Sequence, residues 1–466
     1  MKQGIWCALG LLALIGLVIA GMSAFSTRGE EGKIVLSYTR WGDPSEMDST
    51  KELIQQFMDE NPDIVVRVDV VSWEQYWQKM ATAVTTGTAQ DVWLMSPAYV
   101  EQYAGKGAVL DLMPFIDNDA TFKLSDYFPH PFDDFCFTEV PVTDDQGTTR
   151  ADLRHASFRA PGAKCFAFTR DYNCRLLYYN RDHFDAAALP YPTPDWTWDD
   201  LVAAAKKLTI DRNGDGMIDQ WGYFGLEYDG FARTNGGKSM DVVNRKSTWS
   251  TPEFIEAIRF CQDLIYKHKV APSPDLQVEG QAFTTGKASM TVSGVWNIRK
   301  FNKSRYLWDM TSIPTDTRDR KRITAGGGMG HCIYAGTKHP KEAWMLVKFL
   351  SSEKSQRELA KSGTSVPVLK SAAKSEDFLA PFDRPPKKTY PLIFENLMGE
   401  QHVPTHTRGY LEYSEKARDI IHGVWLNRYT PEEACKKIDE VTDKILAEQY
   451  EGLMPKREKP PKEGTP

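Results

Sequence analysis

Apolar and polar positions follow two periods along the chain, and their alternation predicts the order of the elements. Short runs rich in apolar and β-branched residues are typical of strands; the first of these are 34–38, 64–71 and 91–95. Between the second and third runs, apolar side chains recur at helical spacing at Tyr76, Trp77, Met80 and Val84. This β-α-β-α-β order predicts a mainly parallel sheet with helices on both faces, and therefore an α/β fold.

Two segments carry the sequence signature of a helix start. Ser49-Thr50-Lys51-Glu52 and Thr197-Trp198-Asp199-Asp200 each place a hydroxyl three residues before a carboxylate, which is typical of a capping box. Later helices are predicted at 201–208, 254–268, 341–351, 414–424 and 431–449, and later strands at 174–180, 288–295 and 323–335. The acidic, proline-rich stretch 115–159 is interpreted as the crossing toward a second lobe.

The front of the chain has the pattern of an export signal. Residues 5–25 carry no charge, Lys2 precedes them and Arg28 follows them. A segment of this length also suffices to cross a bilayer uncut, so residues 1–32 are either a signal peptide or an N-terminal membrane anchor. In both cases we expect the body of the protein to be exported. At the other end, a flexible tail is predicted at 451–466.

Composition narrows the class of protein. Of 466 residues, 41% are hydrophobic, and 57 basic against 63 acidic side chains give a formal net charge of −6. This mildly acidic balance lacks the basic surface expected of a nucleic-acid binder. A mean hydropathy of −0.46, with a single long apolar segment, excludes a polytopic membrane protein.

The ends of the predicted strands carry aromatic and polar residues. Trp41 and Asp43 follow the first strand, Ser72 and Trp73 the second, and Ser96 the third. Ligands of open α/β sheets bind beyond the carboxyl ends of the strands. These residues are therefore candidate ligand contacts, and the alternatives are core packing for the tryptophans and helix capping for Asp43 and Glu74.

An Asp-rich loop is the sharpest local signal for a metal. Asp211, Asn213, Asp215 and Asp219 stand at positions 1, 3, 5 and 9 of a calcium-binding loop, with glycine at position 6. The twelfth position is Gly222, so the usual bidentate glutamate is missing. The loop is therefore either a structural calcium site or an Asx-rich turn between a helix and a strand.

Two further motifs have a chemical and a structural interpretation. Tyr178 and Tyr179 could bind ferric iron through their phenolates, or alternate on a strand with one ring buried and one facing a cleft. The glycine-rich run 326–330 lacks the Lys-Ser/Thr of a phosphate loop, which favours close approach of its backbone to a ligand or another strand. We find no nucleophile–base constellation; a carboxylate pair of glycosidase type has no sequence signature and stays open.

Cysteine usage fits an exported protein. Cys7 lies in the apolar segment, which leaves six cysteines and fifteen ways to pair them. We expect Cys165 and Cys174 to pair first, because they close a short loop in an oxidising compartment. The alternative is that most of these cysteines are small buried apolar residues.

Six segments, in the same order, resemble the bacterial extracellular solute-binding proteins of family 1, the carbohydrate-binding subunits of ABC importers. The resemblance covers about 33–449, and its segments are IVLSYTRWGDPSEMDSTKELIQQFMDENPDIVVRV, SWEQYWQKMATAVTTGTAQDVWLMS, YYNRDHFDAAALPYPTPDWTWDDLVAAAKKLT, DRNGDGMIDQWGY, SGVWNIRKFN and ITAGGGMGHCIYAGTKHPKEAWMLVKFLSSEKSQRELA. Two departures stand out: no lipoprotein cysteine follows the apolar segment, and 135–165 is longer and richer in cysteine than the family pattern.

The resemblance implies a two-lobed periplasmic-binding-protein-like fold of type II, with lobes discontinuous in sequence and joined by a hinge. It places 33–135 with about 289–340 in lobe 1, and 136–288 with about 341–450 in lobe 2. It implies that a sugar lies in the interlobe cleft between aromatic rings and polar groups. The residues carried over to that site are Trp41, Asp43, Trp73, Glu74, Ser96, Tyr179, Trp296, Gly327 and Met329.

The function implied is that of a monomeric, non-catalytic receptor in the periplasm or on the outer face of the cytoplasmic membrane. It would capture a sugar or oligosaccharide and deliver it to ABC permease subunits, with no required cofactor beyond the structural calcium left open above. Two alternatives remain: a receptor of the same fold for ferric iron or another small solute, and a secreted carbohydrate hydrolase.

Overall fold

The computed structural model describes residues 32–42, 47–143, 149–273, 281–317, 326–379, 392–393 and 407–451. The strands, β1 to β14 in chain order, are Ile34–Trp41, Ile64–Val71, Val92–Met95, Cys136–Thr143, Thr149–His155, Lys164–Cys165, Phe168–Asn180, Trp221–Tyr223, Met240–Asp241, Lys246–Ser247, Ala288–Gly294, Trp308–Thr311, Gly326–Ile333 and Val366–Pro367. The helices, α1 to α17, are Met47–Glu60, Trp73–Thr85, Pro97–Gly105, Met113–Asp117, His130–Asp133, Arg181–Ala186, Trp198–Leu208, Tyr228–Thr234, Pro252–Tyr266, Gln281–Thr284, Ile298–Phe301, Pro340–Leu350, Glu353–Ser362, Lys370–Ala373, Glu376–Leu379, Tyr410–Trp425 and Pro431–Gln449.

The described chain divides into two compact units, each built from more than one stretch of sequence. The first unit comprises the described residues up to Leu94 together with Ile333–Leu350. The second comprises the described residues of Met95–Cys332 and Ser351–Pro466. These units are discontinuous, as the predicted lobes are, but their bounds differ from 33–135 and 289–340. The lobe bounds stay a prediction, because a hinge is defined by motion and compactness is a separate criterion.

The first unit is built on parallel strands. β1 pairs with β2 along its whole length, from Ile34 opposite Ile64 to Trp41 opposite Val71, and pairs with β3 on its other side. Buried residues of α1 and α2 recur at helical spacing; Phe57 of α1 packs on Phe349 of α12 with ring centroids 5.4 Å apart. The predicted parallel β-α-β-α-β series is confirmed.

Asp91 ties three segments of the first unit together. Its carboxylate accepts hydrogen bonds from the backbone N–H and the hydroxyl of Ser37, at 2.8 and 2.7 Å, and from the Thr337 hydroxyl at 2.6 Å. Its carbonyl accepts from the Tyr334 N–H at 2.9 Å. One residue thus fixes the segment before β3 to β1 and to the returning segment 334–337.

The second unit is organised around one long strand. β7 pairs antiparallel with β11, β12, β13 and β14, and β8 adds in parallel beside β11. The two faces of β7 pack against separate hydrophobic cores, because successive side chains of a strand point to opposite faces. Leu177 and Tyr179 lie in one core with α7, α9, α16 and α17, whereas Leu176 and Tyr178 lie in the other. A separate sheet has the strand order β5-β4-β6.

The two predicted capping boxes have different outcomes in the structure. The capping box at Thr197 is confirmed, because its hydroxyl accepts from the Asp200 N–H and the Asp200 carboxylate accepts from the Thr197 N–H. The capping box predicted at Ser49 is wrong: α1 begins at Met47, so Ser49 is already helical. The later helices and strands of the prediction are all found; β7 begins at Phe168, six residues before the predicted 174, and the other ends differ by at most four residues.

The ends of the chain carry predictions that the structure does not address. Nearly all of the predicted signal or anchor and of the predicted tail lies outside the described residues, and so does Asp43. Within the described ranges, no helix combines the length and the apolar character needed to cross a membrane.

Candidate ligand-binding site

Four aromatic side chains form a cluster in the first unit, which we call the tryptophan cluster: Trp41, Trp73, Tyr76 and Trp77. Trp41 ends β1, and the other three occupy the first two turns of α2. The Trp41 ring lies 5.0 Å from that of Trp73 and 5.5 Å from that of Trp77, centroid to centroid. The first contact is edge-to-face, an arrangement that aromatic rings favour.

The fold explains why residues far apart in sequence meet here. Trp41 stands opposite Val71 in the parallel pair of β1 and β2, and Ser72 then occupies the N-cap position of α2, which begins at Trp73. Parallel strands end at the same edge of a sheet, so a tryptophan that ends one strand meets the helix that follows the next. Trp73 and Trp77 are four residues apart and share one helical face.

The cluster has an exposed layer and a buried layer. Trp73 is 43% exposed and Trp41 is half-buried, whereas Tyr76 is fully buried and Trp77 is 3% exposed. The Tyr76 hydroxyl donates to the Leu94 carbonyl at 2.7 Å, which anchors the layer to β3. The two outer indoles therefore rest on a fixed aromatic base.

Arg40 adds support that the sequence did not indicate. Its Nε donates to the Trp41 carbonyl at 3.0 Å, and its Nη1 donates to the Thr50 hydroxyl at 3.1 Å. The guanidinium group thereby holds the end of β1 against α1. Glu74, predicted as a ligand contact, is exposed in the first turn of α2, a position that also suits a carboxylate beside a helix N-terminus.

A second exposed tryptophan lies in the second unit. Trp296 follows β11 and is 39% exposed. The Arg175 guanidinium lies over its ring at 5.2 Å from the centroid and forms an ion pair with Glu227 at 2.5 Å. Arg175 stands opposite Gly294 on the neighbouring strand, so the register itself brings the cation to the indole.

Gly294 leaves the space that the Trp296 ring occupies. A Cβ atom at Gly294 would lie 2.2 Å from the indole ring, far inside van der Waals contact. Only glycine lets the ring fold back over the end of β11. Sequence reasoning found Trp296 but missed Arg175, Glu227 and this requirement at Gly294, because all three depend on strand register.

The glycine-rich run forms part of a ladder and does not cradle a phosphate. Gly327 and Met329 of β13 stand opposite Asn173 and Asp171 of β7, and the Met329 N–H donates to the Asp171 carboxylate at 3.2 Å. The Gly328 N–H donates to Asp134 at 2.8 Å; burial raises the pKa of that carboxyl to about 8. The structure thus shows close approach of one strand to another. A role of Gly327 or Met329 in binding stays a prediction.

Two predicted contacts are buried within the second unit. Ser96 is 5% exposed, and its hydroxyl accepts from the Ala98 N–H at 3.4 Å as the N-cap of α3. Tyr179 is 4% exposed and packs on Phe184 and Tyr191. The expectation that Tyr179 faces a cleft is wrong. The core on its face of β7 covers the ring, which a strand's period of two cannot reveal.

The two tyrosines also cannot chelate one iron. Tyr178 packs on Phe301 and Trp308 in the core on the opposite face of β7 from Tyr179. Adjacent residues of a strand direct their side chains away from each other, so no single ion reaches both phenols. The geometry contradicts this route to a ferric receptor.

The carboxylates of the Asp-rich loop accept hydrogen bonds from the loop's own backbone. Asp211 accepts from the N–H groups of Gly214 and Gly216 at 2.8 Å each, and Asp215 accepts from the Met217 N–H at 2.7 Å. Asp219 accepts from the Arg212 N–H at 2.8 Å, and the Asn213 amide donates to Asp215. In the part of the chain that is described, no group of three or more His, Cys, Asp or Glu side chains is arranged to hold a metal ion.

The predicted Cys165–Cys174 pair is not formed. Both side chains are buried and no bond joins them in the structure, with Cys165 at the end of β6 and Cys174 inside β7. The extended strand from Phe168 carries Cys174 away at roughly 3.3 Å per residue. The residue directly opposite Cys165 is instead Cys136 of β4.

The fold and the strand-end aromatic cluster define a class, the α/β proteins that bind solutes at the ends of their strands. The sequence profile described as "Bacterial extracellular solute-binding protein" matches residues 52–386. The chain therefore belongs to the bacterial extracellular solute-binding protein family, as the sequence resemblance implied.

Relatives and solved structures agree with this assignment. A binding protein of Brucella abortus (strain 2308) is 21% identical over 456 residues, which cover 94% of this chain and 98% of that protein. The galactooligosaccharide-binding protein of Bacillus subtilis (strain 168) is 23% identical over 221 residues, covering 45% of this chain and 51% of that protein. The ABC substrate-binding protein Lmo0181 from Listeria monocytogenes, solved in complex with cycloalternan, superposes with a TM-score of 0.75 at 24% identity and covers 89% of this chain and 99% of that one. The predicted two-lobed, periplasmic-binding-protein-like fold is confirmed.

Proposed function

We propose that this protein is the sugar- or oligosaccharide-binding receptor of an ABC importer. It acts outside the cytoplasm and delivers its ligand to membrane permease subunits without chemical change. Its membership of a solute-binding family supports the receptor role, and the sugar ligands of similar proteins support the ligand class.

The observation that carries the proposal is the tryptophan cluster. The CH face of a sugar packs on an indole ring, and the exposed layer of the cluster offers two indoles, Trp41 and Trp73, nearly perpendicular to each other. Because Tyr76 and Trp77 hold these rings from below, little side-chain freedom is lost when a sugar binds.

Ligand capture is linked to transport through a change of population. A sugar that binds one conformation more tightly shifts the protein toward that conformation, and the permease recognises the surface that results. The free energy available for this shift is the difference in sugar affinity between the two conformations, and no covalent step is involved.

A thermal-shift screen of the protein from Lys33 against mono- and oligosaccharides tests the proposal. A ligand at 100 times its dissociation constant adds about 2.7 kcal/mol of stability, so a true ligand raises the melting temperature by several degrees. Calorimetric titration of the saccharide found in the screen then gives the affinity. Failure of every saccharide, with a response to another solute class, would overturn the choice of ligand.

Matched variants locate the site. Trp73→Ala and Trp41→Ala should each weaken binding by about tenfold or more, because each removes an aromatic contact surface. Met345→Ala is the control, because this residue is 42% exposed in the same unit but lies outside the cluster. Trp296→Ala, measured separately, tests the contact implied by the resemblance. Equal affinities for wild type, Trp41→Ala and Trp73→Ala would contradict the proposed site.

The absence of catalysis needs its own measurement. The saccharide found in the screen is incubated with the protein and analysed by mass spectrometry. We expect the saccharide to be recovered intact. Cleavage that disappears when one Asp or Glu is replaced would identify a hydrolase instead.

A further inference from the structure

Two cysteines of the second unit face each other across neighbouring strands. Cys136 is the first residue of β4, Cys165 is the last residue of β6, and the antiparallel register pairs them directly. Both side chains are fully buried. The neighbouring Cys165 side chain and burial raise the pKa of the Cys136 thiol. Each thiol donates to a backbone carbonyl, Cys136 to that of Phe132 at 3.1 Å and Cys165 to that of Ala167 at 3.2 Å.

The backbone hydrogen bonds show which kind of antiparallel pair this is. The Phe166 N–H donates to the Phe135 carbonyl at 3.0 Å, so the bonds between β4 and β6 run through the residues that flank the cysteines. The Cys136 carbonyl accepts from Ala156 at 3.0 Å, and the Cys165 carbonyl accepts from Leu112 at 2.7 Å, both away from the other cysteine.

Cys136 and Cys165 therefore form a non-hydrogen-bonded pair. In such a pair the Cα atoms lie about 4.5 Å apart and the side chains are closer than in a hydrogen-bonded pair. A disulfide needs a Cα separation of roughly 4.4–6.8 Å. The backbone already stands where a bridge requires it, without movement of either strand.

We propose that Cys136 and Cys165 form a disulfide bond in the exported protein. The oxidant is a low-molecular-weight or protein disulfide of the oxidising compartment. One cysteine thiolate attacks a sulfur of this donor, breaks the donor S–S bond and releases one donor thiol. The second cysteine then attacks the mixed disulfide and releases the other donor thiol, so two protein S–H groups become one S–S bond.

The burial of both sulfurs sets the timing of this exchange. A donor cannot reach them once β4 and β6 have paired, so the bond forms before this sheet closes. Afterwards the same burial protects the bond from reductants. β6 is only two residues long, and the bridge would hold this short strand to β4 and close the loop that contains β5.

Mass mapping of the exported wild-type protein tests the proposal without any variant. The protein is denatured with an alkylating reagent and no reductant, then digested. We expect one cross-linked peptide pair that contains Cys136 and Cys165, with Cys174 alkylated. Alkylation of both Cys136 and Cys165, or a bridge from Cys165 to Cys174, would overturn the proposal.

Stability measurements provide a second test. Protein that has been reduced and refolded should melt roughly 5 °C below the oxidised protein, because the bridge restricts the unfolded chain. Cys136→Ser, Cys165→Ser and the double variant should share one melting temperature that reductant does not change. Cys174→Ser, the control, should keep the reductant-sensitive difference. The proposal fails if wild type responds to reduction no more than Cys136→Ser does. Neither test uses a sugar, so a failed sugar screen would leave both results interpretable.

Discussion

Glu101 is a carboxyl group that the fold keeps from water, and its ionisation should make the stability of the protein depend on pH. The side chain lies in α3 and is 5% exposed. The Tyr450 hydroxyl donates to its Oε1 at 2.5 Å, and the Arg408 Nε lies 3.5 Å from the same oxygen. Burial raises the pKa of Glu101 to about 7, and it outweighs the opposing effects of Tyr450 and Arg408.

The sign of the effect follows from the two pKa values. Between the ordinary pKa of 4.5 and the folded value of about 7, the unfolded chain has lost the proton and the folded chain still holds it. The folded state then binds more protons, so the free energy of unfolding falls as pH rises through this window. Glu101 thereby contributes roughly 3 kcal/mol to the free energy of unfolding. This contribution is present below pH 4.5 and lost above pH 7.

Glu101→Gln removes this ionisation and keeps an oxygen that can accept from Tyr450. Urea unfolding of both proteins between about pH 4.5 and pH 8 should show the variant gaining about 3 kcal/mol relative to wild type across that range. Glu256→Gln, which changes an exposed glutamate of α9, should follow the wild-type curve. Parallel pH profiles for wild type and Glu101→Gln would refute the reasoning, because the buried charge would then contribute nothing to the slope.

Three further outcomes follow from local geometry. Gly294→Ala places a Cβ atom 2.2 Å from the Trp296 ring and should displace it, which alters indole fluorescence and lowers the melting temperature; an unchanged spectrum would contradict this. Asp91→Ala leaves the Ser37 donors without their acceptor and should cost about 3 kcal/mol in urea unfolding, with Asp91→Asn milder. Calcium or EDTA should shift the melting temperature no more in wild type than in Asp211→Asn, because no group of three or more His, Cys, Asp or Glu among the described residues is arranged to hold a metal ion; a calcium-dependent rise confined to wild type would establish the metal site.

The local pattern of the sequence was enough to predict most elements of the first unit and many of the second. Strand runs and helical spacing depend on neighbours within a few residues, and these appear directly in the sequence. The start of α1 was wrong because Ser-x-x-Glu is a preference of helix starts and also fits inside a helix, where Ser49 lies. The cap at Thr197 succeeded because Pro194 and the polar turn before it rule out an earlier start.

Burial on both sides of a strand could not be predicted. An alternating pattern says which side chains share a face, but it does not say whether a second layer covers that face. Tyr179 was expected to face ligand, yet α6 and the segment after it bring Phe184 and Tyr191 onto its ring. Trp73 carried an equally ambiguous signal and is exposed. The difference arises from elements distant in sequence.

Register explains both the paired cysteines and the tryptophan cluster. Nearness in sequence favoured a bond from Cys165 to Cys174, but β7 is extended from Phe168 through Cys174. An extended strand separates residues faster than any other regular structure, so these thiols are carried apart. The antiparallel register of β4 and β6 instead brings Cys136 to Cys165, and the parallel register of β1 and β2 brings Trp41 to Trp73. In each case chemistry that is spread along the sequence becomes local only through strand pairing. The residues most worth testing are therefore those fixed by register, because a change at either partner should affect the same property.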